Sequence, residues 1–402
     1  DLVGDDGYGV SGSVSFGAGV SGAGLVGIRI GPLASVRVGA SIEIGVWGDF
    51  ADQSGVALSA NYVSLTSLDP TVLQVTPSRK ARALAVGDAV LMAERGSVLG
   101  VRSVEVLSEG QSSKALTDAL EVYPFSVALP TPNGQRQLKV GDSHDLDVHA
   151  ASDGSRYFAG NRQLIDVTPD GLVFAKQAGL TSVSVVRRGL QVDVPVLVTP
   201  AVPDQTTIGI DGGAVGTDDG LVLSYGPGML NGPLNVSLRS LGATELPERI
   251  PDGFTFVGAF DLDVGDVVTD RAAHVTMPVG PEVAPGTDIY FYRLAELPTP
   301  EGGVEKVWLL AESGVVGNDG FARSASIPQL GVRARGTYVG AVLHGKTLVE
   351  LESDNAWPHV LVVAGFSVGF GVILGSAGGA GYGSVVGELF AHQMFPLPWS
   401  SL

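Results

Sequence analysis

The chain has 402 residues, 45% hydrophobic and only 16% charged, with 57 glycines and a net charge of −18. That length supports two to four domains with cores of their own, and the acidic balance excludes the basic footprint that nucleic-acid binding needs. The absence of cysteine excludes disulfides, thiolate metal sites and cysteine nucleophiles.

The chain opens on Asp1 with no charged-then-apolar leader, so either a removed leader, which implies export, or a fragment of a longer chain is expected, the removed leader being favoured. The first element is a strand. Val10, Gly12, Val14, Phe16, Ala18 and Val20 alternate with Ser11, Ser13, Ser15, Gly17, Gly19 and Ser21. Period-two alternation gives one apolar face, and glycine and serine on the other let a second backbone come close. A flat strand outside any sandwich is an unpaired edge. Within a glycine-rich N-terminal segment at 1–25, Val10–Val20 is therefore expected to add to a sheet on a neighbouring subunit, with Val10, Val14, Phe16 and Val20 as contacts.

Two related modules follow. Val36-Arg37-Val38-Gly39-Ala40-Ser41-Ile42-Glu43-Ile44 is echoed by Leu138-Lys139-Val140-Gly141-Asp142-Ser143-His144-Asp145-Leu146, and Ala83 to Val90 by Ala175 to Ser182. Short alternating strands at about ten-residue spacing predict sandwiches, with Ile42, Ile44, Leu146 and Val148 facing the two cores. The stretches Ser67 to Val75 and Ile165 to Ala175, the glycine turns at Gly87 and Gly179, and final strands ending at Val106 and Val198 carry a family likeness. They resemble the bacterial Ig-like group 2 family of intimin- and invasin-type surface proteins, although Pro77-Ser78-Arg79-Lys80 replaces the usual Asp-Gly turn. The resemblance gives domains at 26–110 and 125–199 and implies stalk or spacer modules without catalytic residues. Between them, Leu116 to Val122 is expected to form one short helix.

Prolines in Pro200-Ala201-Val202-Pro203-Asp204-Gln205 mark a linker. Residues 209–343 form a third unit with Gly212-Gly213, Gly226-Pro227-Gly228, Phe256 to Leu262, Tyr290-Phe291-Tyr292 and Trp308 as landmarks. The Gly-Pro-Gly turn and the Gly258 to Leu262 strand resemble the ZU-type β-sandwich of ankyrins and netrin receptors, which implies protein binding rather than catalysis.

The last segment, 358–402, reads two ways. Phe366, Val368, Phe370 and Val372 alternate with Ser367, Gly369 and Gly371, predicting a second apolar strand with Phe366, Val368 and Phe370 as subunit contacts. Yet no residue from Val360 to Gly387 is charged, a span long enough to cross a bilayer. Gly371, Gly375, Gly379, Gly383 and Gly387 would share one face of a helix, as in GxxxG packing. Both readings stand at this point.

No chemical motif competes with these. The six histidines are scattered without HExxH or paired spacing, and His144 and His149, five apart on one expected strand, point to opposite faces. No GxSxG elbow, phosphate loop or helix-opening GxGxxG occurs. Asp261-Leu262-Asp263-Val264-Gly265-Asp266 has calcium-loop character, but the twelfth position is Ala272 where an EF-hand needs glutamate. Alternating strand residues explain these aspartates better.

The sequence thus predicts an all-β fold of tandem Ig-like β-sandwiches plus a third β-sandwich, with glycine-rich apolar terminal segments. The expected role is a non-enzymatic structural subunit, extracellular or at the cell surface of a bacterium. It is expected to assemble as a homo-oligomer or homopolymer, in a filament or surface layer, through its apolar ends. No cofactor, metal or nucleic acid is expected. The alternative is a membrane-anchored adhesin or stalk touching the membrane through 360–387. A glycan-active enzyme with Ig-like accessory modules would need a paired-carboxylate constellation that the chain does not display.

Overall fold

The computed structural model describes residues 2–5, 11–14, 22–31, 35–116, 118–132, 134–143, 147–250, 253–298, 302–325, 331–343, 360–363 and 373–374. Their regular secondary structure is all strand apart from three short 3-10 turns. The chain divides into two compact units, Asp1–Ser113 and Lys114–Leu402.

In the first unit Leu2–Asp5 and Ser11–Val14 form an antiparallel hairpin. A sandwich follows. Its largest layer orders Ser35–Arg37, Val98–Leu107, Gly87–Arg95 and Ser64–Ser67, and facing it are Ser41–Glu43, Lys80–Ala83 and Leu73–Val75. A three-stranded sheet of Leu25–Ile30, Val46–Phe50 and Val56–Ala57 completes it. The alternation Lys80-Ala81-Arg82-Ala83 shows how the sequence builds the layer, with both alanines buried and the cations outside. Ile28, Ile44, Val46, Leu73, Leu91, Val104 and Val106 share the core, with Ile42 packed half-buried against it.

The second unit opens with another sandwich on the same plan. Val127–Thr131 pairs parallel with Leu190–Pro200 as Ser35–Arg37 does with Val98–Leu107. Gln135–Gln137 lies against Leu172–Ala175 as Ser41–Glu43 lies against Lys80–Ala83. Gly87 and Gly179 are equivalent, both at φ near 150° where the long hairpin begins. A Cβ on Gly87 would press on Val72, and one on Gly179 on Leu164. Side-chain bulk is excluded at both.

Three sequence expectations fail here. The segment from Pro200 to Gln205, expected as a linker, is mostly strand: Leu190–Pro200 reaches Pro200, Val202–Pro203 pairs with Gly213–Gly216 and Gln205–Ile208 pairs with Leu234–Leu241. The shared Val-Gly-x-Ser string is not structurally equivalent in the two modules. Gly39 makes a turn at φ 85°, whereas Val140-Gly141 lies inside the Lys139–Asp142 strand paired with Leu120–Tyr123. Ile44 and Val46 therefore match Leu138 and Val140, all four buried. Val148 is also buried, while Leu146 lies outside the described residues. The short helix at Leu116 to Val122 is absent too. A 3-10 turn at Lys114–Leu116 precedes the Leu120–Tyr123 strand, whose Val122 is buried opposite Val140. Burial at period two overrides a weak helical propensity.

The rest of the described second unit is one long sheet. Its path runs from Val202–Pro203 through Val304–Val316 and Phe254–Asp263 to Gln205–Ile208. The first and last strands of that path are neighbours in sequence, joined at Asp204 with φ 54°. The sheet therefore curls until its edges meet. Its two halves face each other across Leu223, Tyr225, Val236, Phe260, Met277, Phe291 and Tyr338, and the Phe260 and Tyr338 rings stack at 5.0 Å.

Candidate functional site: a strand edge above a buried polar junction

The Val304–Val316 strand has unequal sides. One side pairs along its length with Asp288–Pro298. On the other, Phe321–Ser324 takes Gly314 to Val316, and the amides of Ala325 and Gly331 donate to the carbonyls of Ser313 and Ala311 at 2.6 and 2.7 Å. The stretch before Ala311 remains an edge. There Val360–Val363 joins in parallel, Val360 opposite Trp308 and Leu361 opposite Leu309, and Ile373–Leu374 folds back on it. The edge is anchored by a small apolar cluster in which Trp308 and Leu310 pack with Leu241, Tyr292 and Val339. The Trp308 indole donates to the Arg249 carbonyl at 3.2 Å. This end of the sheet thus holds its shape, and its edge at Trp308 and Leu309 takes a strand from the chain's own tail.

Beside that edge lies a cavity of about 270 Å³ whose lining includes Leu309, Leu310, Tyr338, Arg293, Arg333 and Arg335.

The edge stands on a buried polar junction within the second unit. Phe125 of the second sandwich packs against the curled sheet's core and lies 4.7 Å beneath the Arg271 guanidinium. Ser224 donates its hydroxyl to the Ala128 carbonyl at 3.0 Å. Gly226 comes so close to Ser126 that a Cβ would collide with its backbone. Arg136, only 4% exposed, reaches from the second sandwich to donate to the Ser324 hydroxyl at 3.1 Å, which also accepts the Val275 amide at 3.0 Å. Burial lowers the Arg136 pKa, while the fields of Tyr123 and of the fully buried Glu312 act to raise it. His274 is buried with neither ring nitrogen hydrogen-bonded. Its pKa falls well below the ordinary value, chiefly by desolvation and further by the Arg136 charge, so the ring is neutral near pH 7.

Of the predicted contact residues, Val14 lies in the N-terminal hairpin opposite Leu2. Val10, Phe16, Val20, Phe366, Val368 and Phe370 lie outside the described residues. His149 is off any strand, pairing with Asp147 at 2.5 Å, and His144 lies outside the described residues. Asp261 accepts from Arg239 and Thr337, each at 2.7 Å, while Leu262 points into the core. Among the described residues no three potential metal ligands cluster, and no helix is long and apolar enough to cross a membrane. Sequence reasoning passed over Arg136 and the groove arginines, whose neighbours are distant in the chain.

No family model matches the chain, and no curated protein matches it. Among solved structures it is similar to domains 4 and 5 of the S-layer protein SbsC, at 16% identity over 44% of this chain and 100% of that one, with a TM-score of 0.18. It is also similar to SbsC domains 4–9, at 13% identity over 79% of this chain and 47% of that one, TM-score 0.19. A third is human protocadherin-24 EC1-2, at 12% identity over 43% of this chain and 99% of that one, TM-score 0.15. At such scores none of these proteins' roles carries over to this chain.

Proposed function

We propose that the chain is a non-enzymatic structural subunit, extracellular or at a bacterial cell surface, that assembles with copies of itself through its apolar terminal segments. The observation that carries this reading is the edge of the Val304–Val316 strand, which takes a strand from the glycine-rich tail. Strand addition at such an edge satisfies backbone groups and needs only alternating small and apolar side chains from the donor, which 10–20 and 366–372 both spell out. The modules beneath suit a load-bearing role. Their cores are continuous apolar clusters, and the second sandwich is locked to the curled sheet through Arg136, Ser224 and Phe125.

Negative-stain microscopy of the full chain, beside a version lacking residues 1–22 and one lacking 358–402, tests this. Filaments or sheets from the full chain, lost with either deletion, are expected. Monodisperse particles from the full chain at all concentrations contradict it.

A further inference from the structure

Basic residues are scarce in this chain, 24 against 42 acidic ones, yet three arginines line the groove beside the Val304–Val316 edge. The sheet register puts the first of them there. Arg293 stands opposite Leu309 on one side and Tyr338 on the other, and residues directly opposite share a face. Tyr338 belongs to the core between the two halves of the sheet, so Arg293 lies on the inner face. The frame around the arginines is tied by hydrogen bonds. The Thr269 amide donates to the Arg333 carbonyl at 2.9 Å, and Arg333 donates its Nε to the Thr269 carbonyl at 2.6 Å. Arg293 donates its Nε to the Arg335 carbonyl at 3.1 Å, and the Tyr338 hydroxyl donates to the Ala334 carbonyl at 2.7 Å. A guanidinium held at Nε keeps its two Nη groups as a fork of set orientation, the shape that a carboxylate or phosphate accepts bidentately.

The charge does not close within the lining. Among the described residues Asp266 is its one carboxylate, and that pairs with Arg335 at 2.8 Å. Neither Arg293 nor Arg333 forms an ion pair with a carboxylate among the described residues. Asp270 and Arg271, outside the lining, act on Arg333 with opposite signs. Two positive charges are therefore left over, while Val267, Val268, Leu309 and Leu310 make much of the remaining lining apolar. Guanidiniums gathered in this way repel one another until an anion joins them. Partial enclosure makes such a bond stronger than it is in bulk water. The volume of about 270 Å³ falls just below the range in which drug-sized ligands bind, so the occupant is small.

We propose that this groove binds a small organic dianion, its oxyanion groups on the Nη forks of Arg293 and Arg333 and its apolar body against Val267, Val268 and Leu309. Two charges on the ligand match the two that the protein leaves unbalanced. The apolar body separates this ligand from a fully hydrated inorganic ion, which gains nothing from that part of the lining. Binding here goes beyond the structural role and does not depend on whether copies of the chain associate.

Isothermal titration calorimetry of the full chain tests this with phenyl phosphate and glutarate, beside inorganic phosphate and neutral glutaramide. Saturable binding of phenyl phosphate, glutarate or both is expected, roughly tenfold tighter than inorganic phosphate, with none of glutaramide. Whichever of the two binds identifies the head group. R293Q/R333Q is expected to weaken binding by roughly tenfold or more. Asp266→Asn, at a largely exposed side chain, frees Arg335 and is expected to tighten binding severalfold. Val267→Trp, at a half-exposed lining position, fills the groove with every arginine in place and is expected to abolish binding. Should R293Q/R333Q melt early for want of the Thr269 hydrogen bond, the other two variants decide. Absence of saturable binding at millimolar phenyl phosphate and glutarate overturns the proposal. So does binding no tighter than that of inorganic phosphate, binding that persists in Val267→Trp, or binding that weakens in Asp266→Asn.

Discussion

The two sandwiches follow one strand plan and part company at one equivalent position. In the first, Ile42 sits opposite Ala81 and packs half-buried against its own core. In the second, Arg136 sits opposite Val173 and is buried against Ser324 of the curled sheet. A cation at that place in a free-standing module would cost several kcal/mol unless it reached water. Arg136 is tolerated because Ser324 and the field of Glu312 meet it. The first module closes its core with its own residues. The second is specified as half of a pair, and the same position that rounds off one core ties the other to its neighbour.

The comparison breaks most clearly at that pair. Arg136→Met is expected to destabilise the second sandwich and the curled sheet by about 1.5–3 kcal/mol, since it removes the buried hydrogen bond from a charged donor to Ser324. Ile42→Ala, removing a half-buried side chain, is expected to cost about 1–2 kcal/mol in the first sandwich alone. Hydrogen exchange on the full chain reads both, with faster exchange spread through 127–200 and the curled sheet in the first case and confined to 35–107 in the second. Equal, local effects would mean that Arg136 is an incidental core residue.

Acid sharpens the contrast. His274 is held neutral in the fold, with a pKa well below its usual value, and binds a proton on unfolding near pH 6.5. Between that pH and the depressed native value the unfolded state holds the extra proton. The contribution is therefore complete above about pH 6.5 and is lost as pH falls, by up to about 1.4 kcal/mol per pH unit. All six histidines lie at or after His144, so the first sandwich has no such group. Melting followed from pH 7 to 5.5 should show the second unit weakening first, and His274→Phe should flatten that slope. A first unit that weakens equally would remove His274 as the cause.

The smallest expected effect falls on the shared glycines. A Cβ on Gly179 would sit 2.9 Å from Leu164, and one on Gly87 3.2 Å from Val72. Each alanine substitution is expected to cost about 1 kcal/mol through its positive φ, with Gly179→Ala the worse of the two. Paired denaturation curves check the order. Gly87→Ala costing more would mean that the two turns are not built alike.

How much of this was legible follows from how far apart the interacting residues stand. Short alternating strands at about ten-residue spacing are a local signal, and they predicted the all-β fold that the structure shows. The Gly87 and Gly179 turns also lay in plain sight, because each answers to its own φ. The Val-Gly-x-Ser string misled, since the register of a strand is set by its partner and a repeated tetrapeptide fixes nothing alone. Arg136 carried no signal at all. Between Gln135 and Gln137 it reads as a solvated residue, and its partner Ser324 stands 188 residues away. The groove arginines are dispersed in the same way, from Arg293 to Arg335, and only the curl of the sheet gathers them.

The central claim is that copies of this chain join through their terminal segments, and sedimentation velocity of the full chain against the version lacking 358–402 tests it most directly. The account predicts concentration-dependent association of the full chain, lost on deletion, while far-ultraviolet circular dichroism keeps its β signature. Association that survives the deletion undiminished, or a full chain that stays monomeric, would contradict it.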